Sequence, residues 1–235
     1  MPIHKHTFKH GPIPHYEVCT ICETLHRISD VAPSSVYADG YWSREGHSNI
    51  HEQVYNVSQF KNEAGVTKIG SVLKYIPDEC GEALEIACAP GAAMASLWGY
   101  CKGVTGIEFS DQYKDEIMKY SGDSRTKLAF GSFPEVTKDW DEDYFSLIIA
   151  LDFFEHAANG QAVIEEVRGL LTDGGVAVFM SPFLFNDGQY REQDRHEEHI
   201  WLYSQNYLKE WMESMFSEVK FDRWIVGHEL LIVKK

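Results

Sequence analysis

The sequence predicts a doubly wound α/β domain built on a mostly parallel sheet. Three observations carry the prediction. Beyond residue 82, apolar runs of six to eleven residues alternate with helical patterns. The early runs are apolar almost throughout, as strands covered by helices on both faces must be. The first of them, "LEIACAPGAAMASL" (84–97), ends in small residues and a Pro-Gly pair before a helix begins.

The strands are expected at 82–89, 103–109, 126–131, 144–154, 175–183, 219–226 and 228–235. Helices are expected near 92–101, 110–121, 160–171 and 204–216. The last two strands are joined by little more than Gly227, so a hairpin closes the sheet and one edge strand runs antiparallel. Upstream, "SNIHEQVYNVSQF" and "KNEAGVTKIGSVLKYI" space apolar residues at three and four, which predicts two helices before the break at "PDECGE". The first 35 residues are rich in His and Pro, lack helical periodicity and end in a linker-like "DVAPSS". The expected units are therefore an N-terminal extension (1–35), a helical cap (36–81) and the α/β domain (82–235).

The totals exclude several classes. A formal charge of −15 repels phosphate backbones, which disfavours nucleic acid as a partner. No apolar run reaches 18 residues, and "MPIHKHTFKHGPIPHYEV" lacks an apolar signal core, so a cytoplasmic protein with no membrane partner is expected. Five cysteines are an odd number and too few for a disulfide framework in 235 residues. Cys88 and Cys101 lie in apolar stretches and read as buried thiols. Oligomeric state leaves no signal.

In a doubly wound sheet the ligand sits at the carboxyl ends of the strands, and the first strand-to-helix turn must let it approach the backbone. Ala87, Ala89 and Gly91 meet that need at every second position after Glu85. The next strand ends in "GIEF", where Glu108 lies 23 residues beyond Glu85 and could accept both hydroxyls of a ribose. A dinucleotide site would want G-x-G-x-x-G, which is missing here. The stretch instead resembles the first motif of class I S-adenosylmethionine-dependent methyltransferases, usually E/D-x-G-x-G-x-G, with alanines at 87 and 89 in place of two glycines. "FEHAANGQAVIEEVRGLLTDGGVAVFMSPF" (154–183) resembles the family's stretch from strand four to strand five, its "LTDGG" glycines ending the helix, and the closing hairpin fits as well. The resemblance covers residues 82–235 and implies a Rossmann-like seven-stranded sheet with an antiparallel terminal strand.

The resemblance also implies roles. Glu85 would lie by the methionine end of the cofactor, with Ala87, Ala89 and Gly91 making room for it. Glu108 would take the ribose hydroxyls and Phe109 would pack near the adenine. Strand three usually ends in an acid that bonds the adenine amine; here Ser132 stands in its place, with Phe133 packing beside it. Asp152, at the end of strand four, would border the methyl-transfer site.

Methyl transfer to oxygen or carbon needs a base beside the acceptor. One candidate is His156, directly after strand four. The other is Glu198-His199 in "DRHEEHIWLYS" (194–204), similar to the "EHxxxxS" stretch of sugar C-methyltransferases, with His196 as a further histidine. Ser204 there also suits a helix N-cap. "GYWSREGHSNIHEQVYNV" resembles the segment before the core in methyltransferases of sugars and secondary metabolites, making Tyr41, Trp42, His47 and Gln53 candidate lid contacts. Farther upstream, His15, Cys19, Cys22 and His26 read as H-x3-C-x2-C-x3-H, either a zinc knuckle or two free cysteines. Some sugar methyltransferases carry such a knuckle with two Cys pairs; this chain has one. The expected function is methylation of a small-molecule or carbohydrate-like acceptor with His-assisted deprotonation. The alternatives are an RNA methyltransferase, prompted by "ACAPGAA", and an inactive methyltransferase-like binding protein.

Overall fold

The computed structural model describes residues 4–11, 13–28, 67–121, 125–184, 198–225 and 228–235. Three short strands come first: β1 (Phe8–His10), β2 (Tyr16–Cys19) and β3 (Leu25–Arg27). Helix α1 (Lys68–Leu73) follows, its first turn capped by Thr67, whose Oγ1 accepts from Gly70 N at 3.0 Å. Then come β4 (Cys80–Ile86), α2 (Ala92–Leu97), β5 (Cys101–Glu108), α3 (Lys114–Ser121) and β6 (Thr126–Phe130). They continue with β7 (Phe145–Leu151), α4 (Gly160–Leu170) and β8 (Leu171–Ser181). The last are β9 (Trp201–Leu202), α5 (Gln205–Glu213), β10 (Glu218–Ile225) and β11 (His228–Lys234).

The main sheet has seven strands in the order β10-β11-β8-β7-β4-β5-β6. β8, β7, β4, β5 and β6 pair in parallel, while β11 runs antiparallel to both β8 and β10. Chain order reverses between β4 and β7, which makes the carboxyl ends of these strands the crevice for a ligand. The sequence reading of seven strands with an antiparallel terminal strand holds.

The period of two along the strands builds two cores. On β7, Ile148 and Ala150 pack with Val163, Ile164 and Val167 of α4 and with Leu208, Trp211 and Met212 of α5. Leu147 and Ile149 point the other way, into a cluster with Ile69 and Val72 of α1, Met94 and Leu97 of α2 and Ile117 of α3. Each fully buried Leu or Ile contributes about 1.5–3 kcal/mol, so this two-sided burial fixes the register of the central strands. That register in turn fixes which residues end up at the crevice.

Two expectations need correction. The "LTDGG" glycines do not end the helix: α4 stops at Leu170, where Leu171 turns extended (ψ 137°) and opens β8. Gly174 (φ 75°) serves an irregular stretch of β8 instead, where pairing with β7 slips between Phe145 and Leu147. The N-terminal extension also carries strands that its composition did not suggest. β1, β2, β3 and β9 form a second antiparallel sheet, so the polar connection after β8 completes a sheet begun by the extension. Ile13, Tyr16, Val18, Leu25, Leu184 and Leu202 form its small core. Of the expected cap helices, residues 48–60 lie outside the described residues, and the second helix is described from residue 67 onward as α1. Among the described residues, no helix is long and apolar enough to cross a membrane.

Candidate active site

The turn after β4 is held in an unusual backbone path. Ala87 adopts φ 59° and Gly91 φ 96°, both in the left-handed region. At Gly91 a Cβ would lie 3.0 Å from the carbonyl oxygen of Ile117 and 3.2 Å from its Cα, so glycine is required by space as well as by φ. Ala87 stands where the resembled motif has glycine and accepts the same strained conformation, at a cost of about 1–2 kcal/mol. The turn is closed by Cys88 N donating to Ile107 O (3.0 Å) and Gly91 N donating to Cys88 O (2.6 Å).

Two carboxylates flank this turn. Glu85 is buried, accepts a bond from the Met94 amide, and has a second oxygen, Oε2, with no hydrogen-bond partner among the described residues. Burial pushes its carboxyl well above the usual carboxylate range, and the charge of Glu108 adds to the effect. Glu108 accepts from Ala89 N (3.1 Å) and Ser110 N (3.5 Å). Burial raises its pKa too, against the pull of the amides of Ala89, Ser110 and Phe109. Two buried acids on neighbouring strands form a site that a cation or hydroxyl donors would relieve. Phe109 stays 42% exposed beside them. Ser132 is exposed and its carbonyl accepts from Val136 N (2.9 Å), while Phe133 is buried edge-on against Phe153.

At the end of β7, Asp152 (φ 51°) forms an ion pair with Lys68, and its Oδ1 lies 3.9 Å from His228 Nε2. Burial alone would push its carboxyl up, but Lys68 and then His228 hold it below the usual range. Just beyond it, Glu155 and His156 meet His199, and the three bring ligand-type atoms within 4.8 Å of one another. Ser181 Oγ donates to Glu155 Oε2 at 2.8 Å. Burial, then the charge of Asp152, pushes the Glu155 carboxyl up to about 8, so it is largely protonated at neutral pH. The rings of His156 and His199 meet edge-on at 5.0 Å, and their Nε2 atoms stand 3.8 and 4.0 Å from Glu155 Oε1.

His156 has a definite tautomer. Its Nδ1 lies 2.9 Å from the backbone carbonyl of Glu198, which can only accept, so Nδ1 carries the proton and Nε2 presents a lone pair. Burial lowers the ring's pKa despite that carbonyl, which keeps the imidazole neutral. Glu198 thus joins the group through its main chain. Sequence reasoning singled out His156 and His199 but missed Glu155, Lys68, Ser181 and His228. The acid in "FEH" beside His156 was a usable signal for Glu155. Lys68 and His228 are 84 and 76 residues from Asp152, and nothing local marks them. His196 and the lid candidates Tyr41, Trp42, His47 and Gln53 lie outside the described residues.

The predicted zinc quartet is rearranged. His26 Nδ1 bonds Glu17 Oε1 at 2.8 Å, its register partner across β2 and β3, and His15 is exposed at φ 69°. The histidines beside Cys19 and Cys22 are His4 and His6.

Comparison with known proteins agrees with this architecture. No curated protein matches the chain in sequence. Among solved structures, a chain of the Haloferax volcanii complex between the Trm112 methyltransferase activator and a protein described as a methyltransferase aligns with TM-score 0.64 at 14% identity, over 82% of this chain and 95% of its own. The Haemonchus contortus phosphoethanolamine N-methyltransferase 2, in complex with S-adenosyl-L-methionine, aligns with TM-score 0.64 at 14% identity, over 84% and 47%. The N-methyltransferase NodS of Bradyrhizobium japonicum, in complex with S-adenosyl-L-homocysteine, gives 0.53 at 16% identity, over 85% and 94%. At such identities these likenesses speak for the fold. The methyltransferase-domain family model matches residues 38–215, three quarters of the sequence, and the chain therefore belongs to that family.

Proposed function

We propose that the protein is an S-adenosylmethionine-dependent methyltransferase that methylates an oxygen or carbon of a small-molecule or carbohydrate-like acceptor, with a histidine taking the proton. The observation that carries the reading is the buried Glu85 oxygen left without a partner at the point where strand order reverses. The residues fit the cofactor: an ammonium would satisfy Glu85, the remaining lone pairs of Glu108 suit ribose hydroxyls, and Phe109 offers an exposed ring for a base. When bound, the cofactor supplies an electrophilic methyl group on a sulfonium.

The chain's own residues do the rest. Gly91 and the small side chains of Ala87 and Ala89 leave the backbone approachable. His156 receives the acceptor's proton at Nε2, the nitrogen left with a lone pair by the Glu198 carbonyl. Asp152, held ionised by Lys68 and His228, offsets the charge that appears on the imidazole. His199 stands beside it, backed by the same Glu155. In this reading residues 82–235 are the catalytic domain and residues 36–81 a helical cap over the cofactor. The carbohydrate-like class rests on the "EHxxxxS" resemblance at 198–204, and the net charge of −15 argues against RNA.

Thermal unfolding with and without S-adenosylhomocysteine tests the cofactor site. At about 100 times the dissociation constant the ligand should add roughly 2.7 kcal/mol, and Glu108→Ala should erase the gain. No shift at saturation would instead support an inactive methyltransferase-like binding protein. Once an acceptor is in hand, His156→Asn should lower kcat by about 10²–10⁴-fold with KM little changed. An unaltered rate would move the role to His199.

A further inference from the structure

We propose that His4, His6, Cys19 and Cys22 hold one structural zinc ion, and that this ion fixes the small sheet from which His199 is positioned. The four side chains converge from two segments, with a ligand atom of each lying within 4.8 Å of all the others. Cys19 Sγ is 3.4 Å from His4 Nε2, and Cys22 Sγ is 3.6 Å from His6 Nδ1. With zinc–sulfur bonds of about 2.3 Å and zinc–nitrogen bonds of about 2.0–2.1 Å, a tetrahedral site has a sulfur-to-nitrogen edge of roughly 3.6 Å. The observed contacts are edges of that size. Thiol–imidazole hydrogen bonds would explain two pairwise contacts, but not the convergence of all four groups.

The local backbone is built to present them. Glu23 N donates to Cys19 O (3.1 Å) and Cys19 N to Thr24 O (2.9 Å), while Glu23 takes φ 63°, so a tight turn brings both sulfurs together. His4 and His6 are two residues apart, which puts both rings on one side of an extended segment. Thr20 ties that segment to the turn through its N–H (2.9 Å) and Oγ1 (3.1 Å), both donating to Thr7 O. Two thiolates neutralise a divalent ion, which suits a site where Cys19 is buried. Two sulfurs with two imidazoles are a donor set that favours zinc. His4 and His6 also pack on the Tyr207 ring of α5, at 5.3 and 5.0 Å, which couples the site to the main core.

The small sheet needs such a fastening. Its strands have three, four, three and two residues and share six core side chains. Yet it holds the segment bearing His199. Tyr16 Oη donates to His199 O (2.8 Å), Arg27 N to Ile200 O (2.8 Å), and Ile200 N in turn to Glu155 O (2.8 Å). The metal site stands whether or not the methyl-transfer reading does; only its effect on a base depends on that reading.

The full chain, purified and gel-filtered after one equivalent of zinc, should retain one zinc per chain by mass spectrometry of the metal. X-ray absorption should show two sulfurs and two nitrogens at the bond lengths above. His6→Ala and Cys22→Ser should lose the metal, while His15→Ala and His26→Ala should keep it. Because the first two variants could also unfold the small sheet, the wild-type protein provides an independent reading. A chelator should lower its melting temperature and shift the imidazole resonances of His199, and restored zinc should reverse both. Folded protein without stoichiometric zinc, a Cys19–Cys22 disulfide, or loss of zinc in the His26→Ala variant would overturn the site. Bound zinc whose removal leaves the His199 resonances in place would overturn its positioning role.

Discussion

The two ends of the crevice are assembled in different ways. At the end proposed for the cofactor, Glu85, Ala87, Gly91 and Glu108 come from two adjacent parallel strands and the turn between them, all within 24 residues. At the end proposed for the base, Lys68, Asp152, Glu155, Ser181, His199 and His228 come from five separate segments, and the His199 segment is held by strands from residues 16–27. The first is set by local geometry and strand register. The second exists only once distant segments pair. The contrast predicts that the cofactor end withstands perturbation of the N-terminal sheet, while the base end does not.

The largest effect should test the base end through pH. Glu155 is raised to about 8 in the folded chain, whereas an unfolded Glu titrates near 4.3. A raised carboxyl binds its proton more tightly when folded. Its stabilising contribution is therefore full below the unfolded pKa and is lost as pH rises through the folded one. The free energy of unfolding, followed from pH 5 to 9, should fall more steeply in the wild type than in Glu155→Gln, by at most about 1.4 kcal/mol per pH unit. Parallel curves would remove Glu155 from the buried group. Next in size, Gly91→Ala should cost about 1–3 kcal/mol in denaturant unfolding, because the new Cβ meets the Ile117 backbone at positive φ. A neutral result would mean that the turn relaxes, and the cofactor end would lose its rigidity.

Tyr16→Phe sharpens the comparison further. It leaves the His199 carbonyl without its buried donor and should cost about 1–2 kcal/mol. It should disturb the His199 resonances while leaving the thermal gain from S-adenosylhomocysteine intact; loss of that gain would show the two ends to be coupled. Smallest of all is Ala87→Gly. It relieves the strain at φ 59° but makes the unfolded chain freer, so stability should change by less than about 1 kcal/mol.

What was legible follows the same division. The apolar runs of β4, β5 and β7 announced a two-sided sheet because both faces are buried, and their final acids announced the crevice. Glu85 and Glu108 are marked by where their strands stop. β1, β2, β3 and β9 left no such mark: they are short, carry His and Cys, and pair across a span that no local pattern encodes. His15 and His26 looked like ligands because they flank the cysteines evenly in sequence. Register decided otherwise, setting His26 opposite Glu17, while an extended segment carried His4 and His6 to the sulfurs. Asp152 was visible at its strand end, but its partners Lys68 and His228 were not, since an ion pair between distant segments requires no pattern in either.

The pairing of Leu25 with Leu202 has a consequence for synthesis. β1, β2 and β3 emerge from the ribosome well before β9, with 177 residues separating the two partners. At translation rates of about 5–20 residues per second, that open edge waits roughly 9–35 s for its last strand. A hairpin clamped by a metal would endure that interval as a preformed template, and the segment carrying His199 would fold onto it last.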